Sequence, residues 1–149
     1  ANSLTLQRVN VLAPLLHAGF WHTVSNTIPL LFLGGLTLAK GKRMFWETTV
    51  SVTLLSGILV WLFARESYHV GASGLVFGYF GAILARAAIE RSLTSMAIGI
   101  ITVMVYGALI WGILPLRSSV SFESHLFGLI AGIFLVWLDV KLSRSKSLT

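Results

Sequence analysis

Val70-Gly71-Ala72-Ser73-Gly74-Leu75-Val76-Phe77-Gly78 is the stretch on which the reading of this chain turns. Gly71, Ala72 and Gly74 leave almost no side-chain bulk around Ser73, so another backbone can approach closely and the preceding turn can take unusual dihedral angles. The apolar run from Leu75 to Ala85 predicts a helix. Ser73 then stands at or near a helix N-terminus, where free N–H groups and positive partial charge suit an oxyanion. The same small residues also suit a transmembrane helix built for close contact. Both readings stay open on this stretch alone.

The surrounding composition decides the class. The 149 residues are 56% hydrophobic and 11% charged, with a mean hydropathy of +0.86, whereas a soluble domain carries about 25% charge. An all-α, polytopic transmembrane helix bundle is expected. Five apolar segments fall at 21–39, 45–63, 73–88, 95–114 and 124–140, each close to the ~20 residues that cross a bilayer. Cysteine is absent, which excludes disulfides, a thiol nucleophile and cysteine-held metal. The chain begins at Ala1 with polar Asn2, Ser3, Thr5 and Gln7, unlike a signal peptide, and a further segment is expected upstream.

Charge sets the topology. With alternating segments, Lys40, Lys42, Arg43, Arg86, Arg91, Lys141, Arg144 and Lys146 collect on one side, and Arg8, Arg65 and Arg117 on the other. The positive-inside rule puts the first group, and the C-terminus, in the cytoplasm. Trp21, Trp61 and Trp111 fall near the outer boundary and Trp46 and Trp137 near the inner one, as aromatic belts require. The net charge of +6 is thereby explained by the lipid bilayer, and no nucleic acid is implied.

Within this frame the third segment is unusual. Gly71, Gly74, Gly78 and Gly81 make it a poor lipid-facing helix and a good central one, and Ser124, Gly128 and Gly132 in the fifth segment make that helix its natural partner. Counting ~1.5 Å per residue from the basic anchors puts Ser73, Asn26 and His125 at ~20, ~21 and ~24 Å above the inner boundary. His22 lies one turn further out. Polar residues inside a membrane are costly and face interior cavities, so this shared layer is a site hypothesis. Taken singly, either histidine could be a packing residue and Asn26 an interhelical contact.

His17-x-x-x-x-His22-x-x-x-Asn26, Gly71-Ala72-Ser73-Gly74 and His125-x-x-Gly128-x-x-x-Gly132 together resemble the rhomboid intramembrane serine proteases. The resemblance runs from about Arg8 to Lys141. It implies that residues 1–149 form a single protease domain, with five helices of a six-helix core and the first family helix upstream of residue 1. By motif position it implies Ser73 as nucleophile, His125 as general base, and Asn26, His22 and the Ser73 N–H as the oxyanion hole. Gly71, Gly74, Gly128 and Gly132 support the close packing, and Phe77 stands where the family often has a tyrosine stacked on the base. No metal and no cofactor are implied. The implied substrates are single-span transmembrane proteins, cut near the outer face of a prokaryotic cell membrane. Glu123, near His125 in sequence, is expected to be a solvated or loop carboxylate.

Two other classes fit less of the chain. A metal or haem protein could use His17, His22, His69 and His125, but His17 and His22 are five apart, and i,i+4 spacing is what shares a helical face. A rhomboid-like protein that binds membrane segments without cutting them would typically lack the serine or the histidine, and both are present.

Overall fold

The computed structural model describes residues 20–64, 72–114 and 122–146. Five α-helices account for nearly all of them: α1 Phe20–Ala39, α2 Lys42–Phe63, α3 Ser73–Glu90, α4 Leu93–Tyr106 and α5 Phe122–Lys146. A 3₁₀ segment, Gly107–Ile113, continues α4. The five expected segments each become a helix. The fourth changes to 3₁₀ pitch beyond Gly107, and the fifth runs six residues past its expected end into the basic tail.

Local chemistry sets several boundaries. Gly41 begins α2 at φ +139°, a backbone angle that side chains disfavour. Arg91 closes α3 in the left-handed region at φ 51°, and the Ser92 hydroxyl then accepts the Ser95 N–H at 3.2 Å to cap α4. Pro29 lies inside α1.

Four stretches are long and apolar enough to span a bilayer: Lys42–Phe63, Ser73–Glu90, Leu93–Trp111 and Phe122–Ser143. Three of them keep apolar outward faces, with Ile58, Met104 and Phe134 among the exposed side chains, and Leu31 of α1 is exposed likewise. Apolar surface on that scale needs lipid to cover it. The protein is an integral membrane protein.

The third helix is central, as its glycines predict. In α3, 56% of the apolar window is buried, against 22%, 17% and 22% in the other three spans. Val76, Tyr79, Phe80 and Ile83 of α3 form a core with Leu33 of α1, while Ala82 and Ala85 pack on Val136 of α5. Between α3 and α5 the backbones nearly touch. A Cβ at Gly128 would collide with the Gly74 carbonyl, and one at Gly132 with the Gly78 carbonyl. The order of these contacts makes α3 and α5 parallel. Val52 of α2 fills the space beside Gly78.

The end of the bundle that carries Lys40 is tied by a polar node. Arg86 reaches Glu90 at 2.5 Å and Asp139 of α5 at 2.9 Å. Lys40 donates to Ser95 at 2.7 Å and lies 3.6 Å from Glu90, which also accepts from Ser95. Three helices, α3, α4 and α5, and the turn after α1 meet there. Trp46, Trp61 and Trp111 are exposed near helix ends, where interfacial rings belong, and Trp137 is exposed nine residues before the end of α5.

Candidate active site

Ser73 is the first residue of α3, so its backbone N–H belongs to the turn that has no intrahelical acceptor. The side chain is 8% exposed. One turn on, Phe77 is buried on the same face of α3, and its ring lies flat on the His125 imidazole, with centroids 4.3 Å apart and planes within 10°. His125 is in the first turn of α5 and is also 8% exposed. Ser73 and His125 therefore flank one close approach: the Ser124 carbonyl packs against Gly74, and the Gly74 carbonyl against Gly128. Any side chain at Gly128 would push the two helices, and the two residues, apart.

Asn26 is half-buried on α1. Gly34 of α1 packs on the Tyr79 ring of α3; eight residues back from Gly34 and six back from Tyr79 reach Asn26 and Ser73, so the two differ in depth by less than one turn, ~5 Å. His22 is one turn nearer the helix start, and its side chain lies outside the described residues, as do Gly71, His17 and His69. Of the residues singled out in the sequence, Ser73, Gly74, Phe77, His125, Gly128 and Gly132 come together at one seam. Asn26 shares their layer from the neighbouring helix.

One expectation fails. Glu123 is neither solvated nor in a loop; it is 6% exposed in the first turn of α5. The helix starts two residues earlier than the apolar pattern indicates, and a carboxylate is stabilised in the first turn by the helix dipole. Glu123 stands one turn before Phe127, whose ring neighbours Phe63 of α2.

A profile of the rhomboid domain matches residues 7–142, nearly the whole chain. The chain belongs to the rhomboid family. Relatives of this rhomboid domain include an uncharacterized Mycobacterium tuberculosis protein, 37% identical over 86% of the chain and 57% of the relative. A Bacillus subtilis protein named "Putative rhomboid protease" is 33% identical over 85% of the chain and 64% of the relative. An Arabidopsis thaliana RHOMBOID-like protein 4 is 32% identical over 80% of the chain and 31% of that protein. The chain thus spans less than two thirds of the length of each of these three relatives.

The polar node at the far end is not anticipated in the sequence, where Lys40 and Arg86 serve only as basic boundary markers. A signal was present. Arg86 and Glu90 have the i,i+4 spacing of a helical ion pair, and Asp139 follows Arg86 by almost the same interval that separates Gly74 from Gly128.

Proposed function

We propose that this rhomboid domain is an intramembrane serine endopeptidase that cuts single-span membrane proteins through a Ser73–His125 dyad. The observation that carries the reading is the Phe77–His125 stack beside the Gly74–Gly128 contact, because it holds an imidazole on the face of α3 where the Ser73 hydroxyl begins the helix. A serine hydroxyl is a weak nucleophile until a base takes its proton. His125 is that base. As Ser73 Oγ bonds to the scissile carbonyl carbon, its proton passes to His125, and the carbonyl oxygen becomes an oxyanion. The Ser73 N–H, Asn26 and His22 donate to that oxygen, each such donor contributing about 2.7–4 kcal/mol in a water-poor site.

Collapse of the intermediate breaks the C–N bond, and His125 returns its proton to the leaving amine. Water then attacks the acyl-serine, giving a proton to His125 that passes back to Ser73 Oγ. The water requires a wet cavity at this end of the bundle, and irregular backbone at membrane depth is tolerated only where it lines such a cavity or is buried in protein.

Orientation follows from the basic asymmetry: the Lys40 end faces the cytoplasm and the Ser73 end the outer side. A bond cut there lies ~10 Å below the outer boundary, so the substrates are membrane segments whose outer end can unwind. Labelling by a fluorophosphonate tests the reading. Modification of the parent that disappears in Ser73→Ala supports the protease, and a folded parent that never labels supports a rhomboid-like binder without activity.

A further inference from the structure

We infer that the Arg86–Asp139 ion pair is a register pin that decides which turn of α5 faces which turn of α3, and that both residues thereby position the reactive end. The observation behind it is a degeneracy in the helix seam. Gly74 faces Gly128, Gly78 faces Gly132, and Ala82 packs on Val136. These partners are all separated by the same interval of 54 residues. Small residues recur every four positions on both helices, so a slip of one turn still sets small against small: Gly78 comes opposite Gly128, while Gly74 and Ala82 come directly opposite Ser124 and Gly132, which already lie beside them. Close glycine packing favours contact in either register.

The slip would nevertheless carry His125 ~6 Å past Ser73. Something must exclude it. Arg86 follows Ser73 by thirteen residues and Asp139 follows His125 by fourteen, so the pair sits ~20 Å from the reactive layer at matched distance along two parallel helices. In the observed register Arg86 reaches Asp139 at 2.9 Å, and in the slipped one the same atoms would be separated by a further turn. Arg86 is held from the other side by Glu90 at 2.5 Å, and its side chain is only 17% exposed. It is therefore a fixed point and not a wandering surface charge. Specifying register is the best-attested use of a polar group in a helix interface. The Phe77–His125 stack also distinguishes the two registers, but it lies where a substrate must enter. The ion pair does so at the opposite end, where the seam can stay shut.

Only the catalytic consequence rests on the proposed dyad; the register does not. The cysteine-free chain allows both to be read. Ala85→Cys with Val136→Cys reports the observed register, since the two residues pack together, and Ile89→Cys with Val136→Cys, whose residues border the same cluster, gains relative to it when α5 slips by one turn. Oxidative cross-linking in membranes should favour the first pair in the parent. In Asp139→Ala the balance should move toward the second, and fluorophosphonate labelling per folded molecule should fall roughly tenfold, within the range that coupled contacts span. Asp139→Glu should restore both. If Asp139→Ala fails to fold, Arg86→Lys, which keeps the cation without the forked reach, should give the same shift at smaller size. A lowered unfolding midpoint with unchanged cross-link balance and unchanged labelling would reduce the pair to a structural salt bridge. A parent that cross-links as expected but never labels overturns the protease reading and leaves the register result standing.

Discussion

The ring of Phe77 lies parallel to the imidazole of His125, 4.3 Å away and within 10°. This contact joins α3 to α5 immediately below Ser73 and fixes the plane in which the imidazole can turn. Stacked pairs contribute about 0.5–1.5 kcal/mol beyond their buried area. Phe77→Ala should therefore slow turnover per folded molecule by roughly two- to tenfold, and Phe77→Tyr should retain it. Equal turnover in all three proteins would show that the stack does not orient the base.

Ser73 and His125 work only as a unit in the proposed mechanism. Ser73→Ala and His125→Ala should each abolish nearly all peptide cleavage, and the double variant should be little worse than either. Kinetics on a fluorogenic membrane-segment substrate would measure this. Losses that multiply in the double variant would mean that the two residues act independently.

Asn26→Ala removes one oxyanion donor and spares nucleophile and base, so turnover should fall by roughly 10²–10³. His22→Ala should fall within that range or below it. If Asn26 is instead an interhelical contact, its variant should lose about 0.6–2 kcal/mol of stability while folded molecules cleave normally. Turnover and unfolding measured on the same preparation separate the two.

Two glycines should respond oppositely to the same methyl group. A Cβ at Gly132 meets the Gly78 carbonyl, whereas Gly35 has nothing within 4 Å of an added Cβ. Gly132→Ala should destabilise by about 1–3 kcal/mol through overpacking. Gly35→Ala should be neutral or stabilising by up to ~1 kcal/mol from helix propensity. Unfolding in mixed micelles reads both.

Topology is open to direct chemical test. Single cysteines placed near Arg65 and Arg117 should react with an impermeant thiol reagent added outside the cell, and ones near Lys42 and Arg91 should be shielded. The reverse pattern would put the Ser73 end on the cytoplasmic side.

Much of this was legible along the chain because lipid is an undemanding solvent to read. A spanning helix must satisfy its own backbone and present apolar side chains, so hydropathy located the five helices, and the glycines marked the third as central and the fifth as its partner. The His125–Gly128–Gly132 and Gly71–Ser73–Gly74 spacings marked the candidate site for the same reason: a polar group at membrane depth has few bland explanations. Glu123 was misread because the helix begins two residues before the apolar pattern does, which puts a residue expected in a loop into a buried first turn.

Sequence alone therefore determined the class, the helices and the residue types at the candidate site, since each depends on what a residue is and how far it stands from its chain neighbours. The register of α3 on α5 was beyond its reach. A four-residue small-residue repeat on both helices fits itself in more than one alignment, and an ion pair spanning 53 residues, Arg86 to Asp139, is a contact that no local spacing announces. Only the folded bundle shows the alignment that sets the Phe77 ring on His125, because an ion pair between two helices and a stacked ring pair, unlike a repeat of glycines, fit in one register.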